Sequence, residues 1–180
     1  LAALIFRPMF PKLKIRERVE KSILVCVIGI ILSIYAYYVE VAKTNDLSYE
    51  ALCDFNDVVS CSAVFSSRYG KGFGLLEYLV GENHFLNQPN SLFGIGFFSI
   101  QTLGISPMNK TFNYFLYILT GGGVVTSIYL ACILIFVLKD FCVLCVSTYV
   151  LTIILHYLNY KLLHHNVNSH KKRKYQFKAN

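Results

Sequence analysis

Four long apolar stretches decide what this chain can fold into. Residues 22 to 42 carry Ile23-Leu24-Val25-Cys26-Val27-Ile28-Gly29-Ile30-Ile31-Leu32 and then Ile34 to Val41. About 20 mostly apolar residues cover the hydrocarbon of a bilayer, and this run supplies them. Phe112 to Leu138 and Phe141 to Leu163 are of the same kind, whereas Asn90 to Ser106 is shorter and interrupted by glycine. A water-soluble domain does not easily hide so much, because 55% of the 180 residues are hydrophobic and mean hydropathy is +0.50. The expected fold is an all-α membrane protein, a bundle of four transmembrane helices. Tyr35, Tyr37 and Tyr38 near the far end of the first span suit the interfacial belt. Gly121-Gly122-Gly123 in the third span suits close helix approach.

Between the first two spans, residues 43 to 89 change character to turn formers, acids and two cysteines, which predicts a folded cap outside the hydrocarbon. Within it, Phe73, Leu75, Leu76, Tyr78 and Leu79 fit a short half-buried helix lying over the bundle. Residues 1–21 form a basic segment in which the first apolar patch is too short for a secretory leader. Residues 164–180 form a basic tail without a strong helix signal. The catalytic domain is then 22–163, with the 43–89 cap included.

The net charge of +7 argues for a membrane surface and against nucleic acid in a chain this apolar. Four spans put both termini on one side of the membrane. Lys and Arg number six in residues 1–21, one in the 107–111 link and six in residues 161–180, against Lys43, Arg68, Lys71 and Lys139 on the other side. The positive-inside rule places both ends in the cytosol and the 43–89 loop in the lumen or outside.

The chemistry of the sequence lies in Cys142-Val143-Leu144-Cys145, at the start of the fourth apolar run. Positions i and i+3 share a helix face, so the two sulfurs can close a disulfide or open to a dithiol with little backbone movement. The positive end of the helix favours thiolate, the attacking form. Tyr149 sits one turn deeper on the same face. Zinc would need four ligands, and neither a second CxxC nor a His pair has the spacing. Cys53 and Cys61, with seven residues between them in a polar loop, fall on the same membrane face as Cys142 and Cys145 in this topology. They fit either a stapling disulfide or a shuttle that attacks the membrane-edge disulfide and is re-reduced by a soluble partner. Cys26 and Cys132 lie within spans and read as inert core thiols.

At these cysteines the chain resembles the vitamin K epoxide reductase family. The matching pieces are Cys53-Asp54, Ser60-Cys61-Ser62, Val64-Phe65-Ser66-Ser67-Arg68, Gly70-Lys71-Gly72-Phe73-Gly74-Leu75, Asn87-Gln88-Pro89-Asn90-Ser91 and Asp140-Phe141-Cys142-Val143-Leu144-Cys145, in order and in spacing. The resemblance implies a multi-pass reductase of the endoplasmic reticulum membrane that converts vitamin K epoxide to quinone and quinone to hydroquinone. It makes Cys142 and Cys145 the active pair, Cys61 the thiol that passes electrons to Cys142, and Cys53 the one that exchanges with a luminal thioredoxin-fold oxidoreductase. It gives Asn90 and Tyr149 the quinone oxygens, Phe65 the pocket roof, and Phe93 and Phe97 the pocket walls. It implies no permanently bound cofactor beyond the redox-active disulfides and no metal, with vitamin K as substrate and sensitivity to coumarin-type inhibitors.

The residues agree with those roles. A naphthoquinone with an isoprenoid tail needs an apolar pocket with few polar groups, and donors such as an Asn amide and a Tyr hydroxyl would stabilise the charge that builds on its oxygen. Two other readings share the sequence. One is a quinone-dependent oxidase that forms disulfides in secretory proteins, and the other is a non-enzymatic four-span protein with a structural disulfide. The Asn109-Lys110-Thr111 sequon should stay bare, because the topology turns it to the cytosol.

Overall fold

The computed structural model describes residues 9–46, 48–55, 59–81, 84–85, 87–105 and 110–179. Expectations for residues 1–8, for Val58, for Asn109 of the sequon and for the side chains beyond residue 165 lie outside what it describes. Among the described residues six α-helices run in chain order: α1 Met9–Asn45, α2 Cys61–Ser66, α3 Leu76–Val80, α4 Asn90–Gly104, α5 Lys110–Ile133 and α6 Val143–Ala179. Among the described residues there is no strand, only an isolated bridge between Lys71 and Pro89.

Helix α1 reaches well before the apolar run that begins near Ser22. Pro11 falls in its first turn, where the missing N–H has no intrahelical partner to lose. The charged stretch that follows stays helical with the help of i,i+4 pairs, Arg16 to Glu20 at 2.8 Å and Lys21 to Glu17 at 2.7 Å. Helix α6 likewise continues through the basic tail to Ala179, where the sequence had predicted no strong helix. From Val143 onward it contains neither Gly nor Pro, and Lys, Arg and Gln are good helix formers.

Among the described residues three helices are long and apolar enough to cross a membrane, over Arg16–Asn45, Thr111–Leu138 and Val143–His165. The outer surface is apolar too: Leu24, Ile31, Val125 and Phe136 are 60 to 75% exposed. Helix α4 has 15 residues, less than a full crossing, and packs along α1.

Lipid tails are as apolar as leucine, so helices in a bilayer are held by close packing and polar bonds more than by expelling water. Both devices are present. Phe98 of α4 packs with Cys26 of α1 and Leu155 of α6 in one buried cluster. The buried Asn159 amide donates to Gln101 Oε1 at 2.9 Å, and Gln101 Nε2 donates to the Leu116 carbonyl at 3.3 Å, which ties α4, α5 and α6 together. Of the three consecutive glycines, Gly123 makes the close approach: a methyl group there would lie 3.1 Å from Thr152 and 3.2 Å from Phe97. Cys26 is buried as expected, but Cys132 is exposed on the outer side of α5 and is no core thiol.

The cap departs from its sequence reading. Its short helix is confined to Leu76–Val80, and Leu75, Tyr78 and Leu79 face outward. Phe73 belongs to a left-handed turn with Gly72 and Gly74, at φ of 58°, 53° and 69°, a conformation that two flanking glycines make accessible. Arg68 holds the outer side, pairing with Glu77 at 3.2 Å and lying 4.2 Å over the Tyr78 ring.

Candidate active site: two disulfides and an apolar cavity

Helix α5 ends in a π-helical turn, Leu134–Leu138, closed by Lys139 in the left-handed region at φ 56°. The chain then straightens over residues 140–142, so α6 begins one residue later than a CxxC lying wholly on a helix would require. Cys142 is the cap of α6 rather than part of it. Its sulfur accepts the Cys145 N–H at 3.2 Å and its carbonyl accepts the Val146 N–H at 3.0 Å. The sulfur thus occupies the place that a Ser or Asp oxygen takes at an ordinary helix start. Cys142 and Cys145 are bonded to each other with Cα atoms 5.3 Å apart, Cys142 fully buried and Cys145 half-buried. On reduction, a thiolate at Cys142 would keep that N–H bond and the positive end of the helix.

The second pair, Cys53 and Cys61, is also bonded, with Cα atoms 5.8 Å apart. Cys61 opens α2, whose cap Ser60 accepts the Ala63 N–H through Oγ at 3.1 Å. Asp54 braces the loop. Its carboxylate accepts from the Ala51 N–H at 2.7 Å, the Ser62 N–H at 3.0 Å and the Ser60 hydroxyl at 3.0 Å. Partial burial works against the charge, but hydrogen bonds from Ser62, Ala51 and Ser60 outweigh it and hold the carboxyl down at about 2. The ligand atoms of Cys53, Asp54 and Cys61 lie within 4.8 Å of one another. The sulfurs are spent on each other and the carboxylate on its donors, so the group is a braced disulfide loop. Cys53, Cys61 and Cys142 share one buried cluster with Val39, Leu134 and Leu144, and Cys145 packs against it.

Beside this cluster lies a cavity of about 560 Å³, within the usual range for small-molecule sites. Phe65, Phe73, Phe93 and Phe97 line it, and so do Asn90, Cys145 and Tyr149. Every residue expected to touch a quinone therefore falls on one wall or another of the same space. Cys145 is the member of its pair that reaches it. Phe73 and Phe93 pack with centroids 5.1 Å apart, joining cap to bundle.

Asn90, the first residue of α4, ties the cap down: its Oδ1 accepts the Phe73 N–H at 2.8 Å and its Nδ2 donates to the Tyr69 carbonyl at 2.6 Å. One amide hydrogen is left for a ligand. The Tyr149 hydroxyl meets no hydrogen-bond partner among the described residues. Sequence reading missed two groups here. Ser91 lines the cavity beside Asn90, and its hydroxyl donates to Glu40 Oε2 at 3.3 Å. Glu40 is 4% exposed on α1. A lone acid inside an apolar run was the signal that could have found it.

The family model described as "Vitamin K epoxide reductase family" matches residues 22–160. The chain is 41% identical over 150 residues to "Vitamin K epoxide reductase complex subunit 1" of Mus musculus, covering 83% of this chain and 91% of that one. To the protein of the same name from Rattus norvegicus it is 42% identical over 149 residues, covering 83% and 90%.

Proposed function

The chain belongs to the vitamin K epoxide reductase family, and from that premise we propose that it reduces vitamin K epoxide to quinone and quinone to hydroquinone at the cavity between cap and bundle. It is a membrane enzyme of that family. The observation that carries the site is the opening of Cys145, bonded to a helix-capping Cys142, onto an apolar cavity that also holds Asn90 and Tyr149.

In the reduced enzyme, Cys145 attacks the substrate and Cys142 resolves the adduct by closing the disulfide. Two electrons pass to the substrate. Asn90 and Tyr149 donate hydrogen bonds to its two oxygens as charge develops there. The aromatic residues Phe65, Phe93 and Phe97 enclose the ring system. Cys61 then attacks the Cys142–Cys145 disulfide, and Cys53 releases Cys61 by closing their own bond. A luminal thioredoxin-fold protein re-reduces Cys53–Cys61. The shared buried cluster of Cys53, Cys61 and Cys142 supports this relay.

For the architecture, helix α4 supplies the fourth crossing. Its 15 residues give about 22 Å of rise, short of the roughly 30 Å of a typical hydrocarbon core. The 43–89 cap lies in the lumen of the endoplasmic reticulum and both termini in the cytosol, an orientation that the distribution of Lys and Arg supports. The test is conversion of vitamin K epoxide by membranes carrying the full chain, with dithiothreitol as reductant and with or without a coumarin-type inhibitor. Turnover blocked by the inhibitor is the expected result. Absence of turnover with correctly inserted protein would remove the reading.

A further inference from the structure

Glu40 is a carboxylic acid in the wall behind the site that the relay of sulfurs does not use. It continues a stripe on α1 at positions i, i+3 and i+7 with Ser33 and Ala36, both of which line the cavity. It is 4% exposed, and among the described residues only one of its carboxyl oxygens has a hydrogen-bond partner, the Ser91 hydroxyl at 3.3 Å. No ion pair reaches it among the described residues. Lys71 on the cap is the charged side chain that acts on it. Of the elements packed against α1, helix α4 carries no ionisable side chain, α2 carries only the bonded Cys61, and α6 brings Cys145 and Tyr149 to the nearby wall. A bare carboxylate held this way leaves one oxygen without a protein donor, whereas a protonated acid is a far cheaper group to bury.

Quinone reduction needs protons as well as electrons. Closing the Cys142–Cys145 disulfide gives up two electrons and two protons, and the quinone takes two of each to become the hydroquinone. The two carbonyl oxygens stand on opposite sides of the ring, so the one beside Asn90 cannot be served from the Tyr149 side. We propose that Glu40, acting through the Ser91 hydroxyl, loads the proton taken up by the substrate oxygen beside Asn90. When the carboxyl is protonated, Ser91 Oγ accepts from it and its own hydrogen is free to point into the cavity. Passing that hydrogen to the oxygen while taking the Glu40 proton leaves Ser91 unchanged and Glu40 ionised. One of the protons shed by the sulfurs, exchanged through water, restores Glu40, so the overall stoichiometry is unaltered. Glu40 is a positioning residue, since it never touches the substrate. This inference rests on the proposed quinone chemistry.

The experiment follows hydroquinone formation by the full-length protein in detergent, with dithiothreitol as reductant, as a function of pH. The acid must be loaded before transfer, so the wild-type kcat should decline as pH rises past the Glu40 titration. Glu40→Gln should lower kcat by about 100-fold, the scale of a positioned proton donor, with KM within about twofold and that limb flattened. Glu40→Asp should recover part of kcat and the limb, which a packing role would not predict. Ser91→Ala, which leaves α1 untouched, should repeat the kcat loss and decides the matter if Glu40→Gln does not fold. Both variants keeping the wild-type kcat and pH limb overturn the relay while leaving the functional reading standing. A wild-type chain that forms no hydroquinone overturns both.

Discussion

The molecule holds two disulfides of nearly equal span, and they are built in opposite ways. Cys142–Cys145 is held by a helix: one sulfur is the cap, the other lies one turn on, and the remaining surroundings are apolar side chains. Cys53–Cys61 is held by a loop, whose shape depends on one carboxylate accepting from two backbone amides and a hydroxyl. A helix end fixes its sulfurs whether they are oxidised or reduced. A loop braced by hydrogen bonds keeps its shape only while the brace lasts. The contrast fits the proposed division of labour, in which the rigid pair would do chemistry on a lipid-borne substrate and the conditional pair would move electrons in from water.

Substituting the rigid pair should therefore have the largest effect. Cys145→Ala removes the sulfur that opens onto the cavity, so epoxide and quinone reduction should fall by at least about 1,000-fold with any reductant, as expected when a covalent nucleophile is lost. Residual turnover above one per cent in membranes would assign the attack to another group. The loop pair should behave differently. Cys61→Ser should abolish turnover driven by a thioredoxin-fold protein yet keep dithiothreitol-driven turnover within about fivefold, because a small thiol reaches the active disulfide unaided. Equal loss with both reductants would show that the two pairs are not separable. Smaller again is Tyr149→Phe, which keeps the ring in the cavity wall and removes one hydrogen-bond donor. A kcat loss of about 100-fold, with KM little changed, is the expected mark of a donor whose contact tightens in the transition state.

The same contrast explains what the sequence could disclose. Periodicity and composition announce the long helices, and the spacing of Cys142 and Cys145 announces their pairing, because both signals are local. The cavity residues Phe65, Asn90, Phe93, Phe97 and Tyr149 were legible through family resemblance, and their meeting around one cavity is an outcome of packing that no single stretch states. Other features were set by distant or atom-level contacts. Cys142 as a cap depends on where the preceding π-helical turn ends, and the left-handed Phe73 depends on Asn90, 17 residues away, accepting its N–H. Glu40 was hidden for the opposite reason: one acid scarcely changes the hydropathy of a run as long as α1, yet its partner on α4 lies 51 residues on.

The finest distinction between the pairs concerns acid. Asp54 titrates at about 2 in the folded loop against an ordinary value of 3.8, so the folded state favours the ionised form. Its contribution to holding the loop is complete above about pH 4 and is lost as pH falls toward 2. Because the group is only partly buried, the effect is a loosening and not an unfolding. With a phosphine reductant, whose own protonation slows both reactions alike, Cys53–Cys61 should open several-fold faster relative to Cys142–Cys145, whose helix cap contains no carboxylate, at pH 2 than at pH 5. Asp54→Asn replaces the ion with a neutral amide, so the loop disulfide should open at the faster relative rate at both pH values. If the helix-end disulfide accelerated as much as the loop pair, the acid sensitivity would belong to the fold as a whole and the separate bracing of the two sites would be lost.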